Sequence, residues 1–273
     1  MGGNGQAMKA RFLILKLIGY LRQIFNGSIV DHYRVLMQVR SNLDKEIDFL
    51  SFLCDKTKIS IDVGAAVGVY TYYILKFSSF CYCFEVNDDR AKRLKKIFPA
   101  RRVKVETIAL SNKKNTAVLS TPIENGIPRF GRASIENEND FTGMKTKRDM
   151  VSTERLDSFV IKNVGFIKID VEGHELAVLE GARELLVSES PNILIEAEDR
   201  HKKGAVGELS KFLFEIGYTG IFLFNNNFYD LKHFELDIHQ NVEFISDKNL
   251  YTNNFIFSKS IETLSSIKCS LSL

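Results

Sequence analysis

Only four cysteines occur in the 273-residue chain, at positions 54, 81, 83 and 269, and they form no C-x-x-C pair and have no histidine nearby. That scarcity argues against a metal-binding cluster and leaves reduced, cytosolic thiols as the expected state. No charge of one sign prevails either. The 37 basic and 34 acidic residues leave a net charge of +3, too even to imply nucleic acid by itself. Long apolar runs are missing too: the strongest candidate, residues 8–25 (MKARFLILKLIGYLRQIF), is interrupted by Lys16 and Arg22, and no small-residue cleavage site follows it. It reads as a basic, apolar helix that docks on the domain or on a partner chain. Peripheral membrane contact through residues 8–25 is the sharper alternative. Internal repeats are absent.

What is present is enough for one large core. With 45% hydrophobic residues, the composition predicts one α/β domain over 46–260, an N-terminal extension over 1–45 and a mobile Ser-rich tail over 261–273. The extension opens with a glycine-rich start, Met1–Ala7, which Gln6 excludes as a myristoylation site. Leu36, Leu43, Ile47, Leu50 and Cys54 recur at helical spacing and predict a helix over about 31–55 that packs on the sheet.

The stretch ISIDVGAAVGVYT, Ile59 to Thr71, is the one on which the chain is organised. Ile59, Ile61 and Val63 predict a buried strand, Gly64 and Gly68 a turn, and Val69, Tyr70 and Thr71 the start of a helix. A strand, a glycine turn and a helix make a cradle in which backbone approaches a ligand closely. The spacing D-x-G-x-x-x-G departs from the dinucleotide fingerprint G-x-G-x-x-G. An acid at this strand end repels a pyrophosphate but suits the ammonium of an amino acid, a group carried by S-adenosylmethionine. The next predicted strand, Phe80 to Phe84, ends at Glu85, roughly 20 residues past the turn, where a doubly wound sheet places the acid that accepts both ribose hydroxyls. Either acid alone has a bland reading: Asp62 as a helix cap, Glu85 as a partner of Arg90.

Further along, the basic run from Arg90 to Lys104 reads as a solvated helix face around Ala91, Leu94 and Ile97, without the interleaved aromatics of a stacking platform. After the strand Val103 to Ala109, the residues Ile108, Ala109, Leu110 and Ser111 fall where adenine would lie. Thr116 to Ser120 reads as an added strand. Residues 121–150 are polar and predict a substrate loop or lid, with Arg129, Arg132 and Ser134 as candidate contacts. The segment VGFIKIDVEGHELAVLEGARELL, Val164 to Leu186, predicts a buried strand ending at Asp170 and a helix that turns Leu176, Leu179, Ala182 and Leu186 inward. Asp170, Glu172 and His174 therefore crowd a central strand's carboxyl end, over which open α/β sheets bind ligands. Two last strands, Ile221 to Phe224 and Asn254 to Phe257, are expected as a hairpin-like pair at the sheet's end.

DVGAAVG at 62–68, FEVN at 84–87, TERLDSF at 153–159 and IKIDVEGHELAVLEGA at 167–182 together resemble the FkbM-type methyltransferase family over about residues 45–258. The resemblance implies a class I methyltransferase (Rossmann-like) α/β fold, doubly wound on a mostly parallel seven-stranded sheet. It implies S-adenosylmethionine as cofactor and a hydroxyl of a sugar or natural product as acceptor. Carried over by position, Asp62, Gly64, Gly68, Glu85 and Asp170 would line the cofactor; Ala66, Tyr70, Thr71, Val86 and Ala109 are their neighbours in the same segments. One departure is Ala66, where that family usually has Asn.

In-line methyl transfer needs alignment of oxygen, methyl and sulfur, and removal of the hydroxyl proton. His174 is the candidate base, with Glu172, Asp170 or Glu175 expected to hold its second nitrogen; a purely structural His174 opening the helix is the equal alternative. Asp170 and Glu172 are two carboxylates able to ligate a divalent metal, which nothing else in the sequence requires. The expected activity is O-methyl transfer to a carbohydrate or other small polyhydroxylated acceptor, in the cytoplasm and without a nucleic-acid partner. An RNA methyltransferase is the runner-up, although the chain lacks a D/N-P-P-Y motif and a cysteine beside proline. A non-catalytic cofactor-binding scaffold is the reading from another class, and an NAD oxidoreductase is the weakest.

Overall fold

The computed structural model describes residues 44–136, 141 and 143–271. The basic helix expected at 8–25, and the part of the 31–55 helix before Asp44, lie outside the described residues. From Lys45 the chain makes a 3-10 turn (Lys45–Phe49) that runs into α1 (Leu50–Leu53), burying Ile47, Phe49, Leu50 and Leu53.

Among the described residues twelve strands follow: β1 (Ile59–Val63), β2 (Phe80–Phe84), β3 (Val103–Glu106), β4 (Ala109–Leu110), β5 (Asn115–Glu124), β6 (Ile127–Pro128), β7 (Lys145–Glu154), β8 (Val164–Ile169), β9 (Asn192–Glu196), β10 (Thr219–Phe224), β11 (Asn227–Asp230) and β12 (Asn254–Ser258). The main sheet runs β11-β10-β12-β9-β8-β1-β2-β3. Its β9-β8-β1-β2-β3 half is parallel, and β12 is inserted antiparallel between β9 and β10. Chain order reverses between β1 and β8, so the ligand crevice belongs over the tips of those two strands.

The sheet has eight strands rather than the expected seven. The added one is β11, joined to β10 by Asn225 and Asn226, which sit at φ 48° and 59°. Two consecutive left-handed residues are what a tight hairpin turn matched to strand twist requires, and Asn tolerates them. The hairpin partner of β10 is therefore β11, and β12 reaches β10 from further along the chain.

Helices cover both faces because inward positions alternate along the strands. Ile61, Val63, Ile167, Ile169, Ile193 and Ile195 pack with α4 (Glu175–Gly181), α5 (Arg183–Ser188) and α6 (Ala205–Glu215). Cys81, Cys83, Phe166, Leu194 and Ile256 pack with α1, α2 (Val69–Ile74), α3 (Asp88–Ile97) and α8 (Ile261–Ser270). A short α7 (Leu236–His239) lies between β11 and β12. On α4 Val178 and Leu179 are buried, as are Glu175 and Gly181, while Leu176 stays half-exposed, and the helix breaks at Ala182 before α5 begins.

Two expectations change. The tail is not loose: α8 is capped by Ser260, whose Oγ accepts from the Thr263 amide, and it buries Leu264 and Ile267. Nor is 121–150 a plain loop. β5 and β7 pair from Asn115↔Thr153 to Ile123↔Lys145, and with β4 and β6 they form a second sheet of four strands. Its alternation of exposed and half-buried residues comes from an arm with solvent on one side, which a polar composition alone disguises.

Candidate active site

The arm's inner residues and the tips of β1, β2, β4 and β8 line one cavity. Gly64, Ala66, Glu85, Val86, Ala109, Asp170, Glu172 and His174 all line it, so eight of the residues singled out from sequence come together.

Each tip is positioned by backbone. Gly64 and Ala65 donate their amides to the Phe84 carbonyl (2.9 and 3.2 Å), and the Asp170 amide donates to the Val63 carbonyl at 3.0 Å. The Glu85 carboxylate accepts from the Ala66 amide (2.7 Å) and from the Asn87 amide (2.7 Å), which fixes it across the turn. Burial pushes the Glu85 pKa up, and those two donors oppose it. Arg90 is near enough to lower it further, so the bland pairing of Glu85 with Arg90 is present as a field effect.

Asp62, Gly68, Tyr70 and Thr71 are not among the lining residues. Asp62 is buried behind the turn and accepts from Thr71 Oγ1 at 2.6 Å; burial pushes its pKa up to about 6. This pair ties β1 to α2 and holds the cradle from beneath. Tyr70 donates to Asp44 at 3.2 Å, and its ring carries the Lys168 ammonium 4.8 Å from the centroid. Burial works against that ammonium, but the charges of Asp170, Glu196 and Asp62 outweigh it and hold the Lys168 pKa up. Lys168 Nζ lies 3.7 Å from Asp170, an anchor that sequence reading overlooked because an isolated lysine inside a strand looks like an exposed one.

Around His174 the expected partners are replaced. Its Nδ1 meets the Glu136 carboxylate and its Nε2 lies 2.9 Å from Ser111 Oγ. Glu175 is instead buried, accepting from the Gly173 amide at 2.8 Å, and Glu172 faces His201 with 3.1 Å between Oε2 and Nε2. Burial and the neighbouring Asp170 charge push the Glu172 pKa well up, which favours its neutral form. Glu136 had no sequence signal among the other acids of a polar stretch. Phe130 did, as an aromatic in such a stretch: it lines the cavity, with Arg90 5.6 Å from its ring centroid.

Arg129 and Arg132 do not reach the cavity as ligands; both pair with Glu124 on the arm. Ser134 docks the arm, donating from Oγ to the Glu172 carbonyl at 2.6 Å. Part of the basic run is a solvated face: α3 is capped by Asn87, buries Ala91 and Leu94, and pairs Lys92 with Asp88 in solvent, whereas Arg90 lines the cavity and Arg102 donates to the Leu75 and Ser78 carbonyls. Among the described residues no group of three or more His, Cys, Asp or Glu is arranged to hold a metal, and no helix is long and apolar enough to cross a membrane.

Ala66 sits at φ 49°, the left-handed region that costs an alanine about 1–2 kcal/mol. Asn adopts it more readily, so Ala66→Asn should stabilise the protein by roughly 0.5–1 kcal/mol. A rise in the urea midpoint with an unchanged m-value reads this. A fall in the midpoint would mean that the turn tolerates alanine better than its backbone suggests.

No curated protein sequence matches the chain. Among solved structures, the methyltransferase FkbM from Methylobacillus flagellatus KT is similar at 15% identity and TM-score 0.48, covering 74% of this chain and 44% of that one. The chain thus spans less than half the length of that structure. An O-methyltransferase from Bacillus cereus in complex with SAH is similar at 13% identity and TM-score 0.42 (89% of this chain, 96% of that one). An rRNA methylase from Streptococcus thermophilus is similar at 13% and 0.43 (78% and 93%). The main sheet, parallel over β3-β2-β1-β8-β9 and covered by helices on both faces, gives a Rossmann-like α/β fold. The Methyltransferase FkbM domain matches residues 62–219, more than half of the chain, and takes in all eight lining residues named above. This protein belongs to the FkbM methyltransferase family.

Proposed function

We propose that the protein is an S-adenosylmethionine-dependent O-methyltransferase acting in the cytoplasm on a hydroxyl of a carbohydrate or other small polyhydroxylated acceptor. The observation that carries this is the convergence of Glu85, Asp170, Glu172 and His174 on one cavity over the β1 and β8 tips. The donor set fits the cofactor. Glu85, fixed by two amides, keeps lone pairs for a ribose diol, while Ile108, Ala109 and Leu110 offer an apolar wall to adenine. Asp170, supported by Lys168, faces the amino-acid end together with Gly64.

When bound, the cofactor supplies an electrophilic methyl group on a sulfonium. The chain's own work is to hold the acceptor oxygen in line and to take its proton. His174 is the base. Glu172 lines the same cavity and, with its pKa raised by burial and the Asp170 charge, would hydrogen-bond an acceptor hydroxyl. Solvated basic residues on α3 give nucleic acid no stacking surface, which favours a small acceptor over RNA.

Calorimetry with S-adenosylhomocysteine, followed by transfer of labelled methyl to a glycan panel, tests the reading. Binding in the micromolar range and label on a hydroxyl are the expected results. Glu85→Ala should weaken cofactor binding by about 1.5–3 kcal/mol for the lost charged hydrogen bonding. Unchanged affinity in that variant, or label found on RNA, would overturn the assignment.

A further inference from the structure

His174 is flanked on both sides of its ring. Glu136 meets Nδ1 and Ser111 Oγ stands 2.9 Å from Nε2. The three residues arrive from separate elements: the arm, the end of β4 and the turn that opens α4.

A carboxylate accepts hydrogen bonds and donates none, so an ionised Glu136 requires the proton to sit on Nδ1. Hydrogen bonding to His174 holds the Glu136 pKa below the usual carboxylate range, which keeps it ionised. Neutral His174 then has its lone pair on Nε2, pointing at the Ser111 hydroxyl. Ser111 is itself immobile. Its amide donates to the Glu154 carbonyl at 2.9 Å, and its carbonyl packs on Gly181, where an added Cβ would lie 2.0 Å away. Glu136 is fixed as well: its amide donates to Ser134 Oγ at 3.1 Å, and Ser134 is docked on the Glu172 carbonyl.

A serine, a histidine and a carboxylate in this order form the array of a nucleophilic triad. Here the Ser111 amide, which would be the first oxyanion donor, is spent on Glu154, so the array suits proton transfer and not acyl transfer.

We propose that Glu136 and Ser111 position His174 as the base, Glu136 fixing the imidazole tautomer from Nδ1 and the Ser111 hydroxyl holding the ring through Nε2. This rests on the methyltransferase reading given above. As the acceptor oxygen bonds the methyl carbon, its proton passes to Nε2 of His174, which lines the cavity, the acceptor hydroxyl taking the place of Ser111 as donor to that nitrogen. The methyl–sulfur bond breaks with its electron pair left on sulfur. The imidazolium so formed faces the Glu136 carboxylate and later returns its extra proton to solvent. Glu136 touches neither acceptor nor cofactor and is a positioning residue.

The test is made on the full chain labelled with 15N-histidine, with His174→Ala used to assign the resonance. At a pH where His174 is neutral, the wild-type protein should show the Nδ1–H tautomer. Glu136→Ala should fall back to the tautomer mixture of a free imidazole, and Glu136→Asp should restore the wild-type pattern. Ser111→Ala should keep the tautomer but shift the Nε2 resonance through loss of its donor. A wild-type Nε2–H tautomer, or no change in Glu136→Ala, would overturn the array. These readouts need no acceptor, so they fail separately from the function proposed above. With any acceptor the glycan panel yields, Glu136→Ala and Ser111→Ala should each lower kcat on the order of 10²-fold at unchanged KM. Full kcat in both variants sinks the positioning role; undiminished transfer in His174→Ala sinks the base.

Discussion

Replacing Gly64 with alanine should cost the protein about 2–5 kcal/mol and abolish measurable binding of S-adenosylhomocysteine. Gly64 has φ +79°, and a Cβ there would lie 1.9 Å from the Asp170 carbonyl oxygen. Left-handed backbone alone costs an L-residue about 1–2 kcal/mol. The contact adds a second cost, since the obstacle is backbone and cannot swing away as a side chain would. Asp170 cannot retreat cheaply either, because its amide is bonded to the Val63 carbonyl at 3.0 Å, so the two strand tips must part. Parting them moves the Asp170 side chain and opens the crevice at its centre. Gly126 gives the control: its φ is +76° with nothing within 4 Å of an added Cβ, so Gly126→Ala carries the backbone cost alone. Urea unfolding should separate the two variants by more than about 1 kcal/mol. Equal losses would mean that the β1 and β8 tips are not in the close register described.

That contact also shows what a sequence reveals and what it hides. The β1 turn was legible because its chemistry is local: an acid, a glycine, three residues and a second glycine dictate a strand, a tight turn and a helix within thirteen residues. Glu85 was legible by its interval from the turn, since parallel strands with a helix between them return at a predictable distance. Asp62 and Thr71 look like ligands from their place in the motif, but strand alternation turns Asp62 to the face opposite Ile61 and Val63, under α2, where it meets Thr71. Glu136 and Ser111 lie 38 and 63 residues from His174, and no local pattern links segments brought together only by the second sheet. The arm itself was hidden by composition, because a two-stranded ribbon with one wet face carries as many polar residues as a loop.

Stability should fall as pH rises from about 4.5 to about 7, and Glu46→Gln should remove part of that fall. Glu46 lies in the turn before α1 and is buried. Burial pushes its carboxyl from the ordinary 4.5 up to about 7; the Asp44 charge adds to this, and Lys168 and Lys248 oppose it. A raised acid keeps its proton in the folded protein over a range where the unfolded chain has released it. The native state therefore binds more protons between these two values, and by linkage its stability declines with rising pH across that window. Below 4.5 both states are protonated and above 7 both are ionised, so the contribution is constant on either side. The full span amounts to about 3 kcal/mol. Glutamine keeps the shape and cannot ionise, so the wild-type and Glu46→Gln curves should diverge through the window, the variant gaining as pH rises. Asp62, pushed up to about 6 by burial, titrates in both proteins and cancels in the difference. Chemical denaturation at half-unit intervals from pH 4 to 8 reads that difference directly. Parallel curves would mean that Glu46 meets water or a cation in solution instead of lying buried in the Lys45–Phe49 turn.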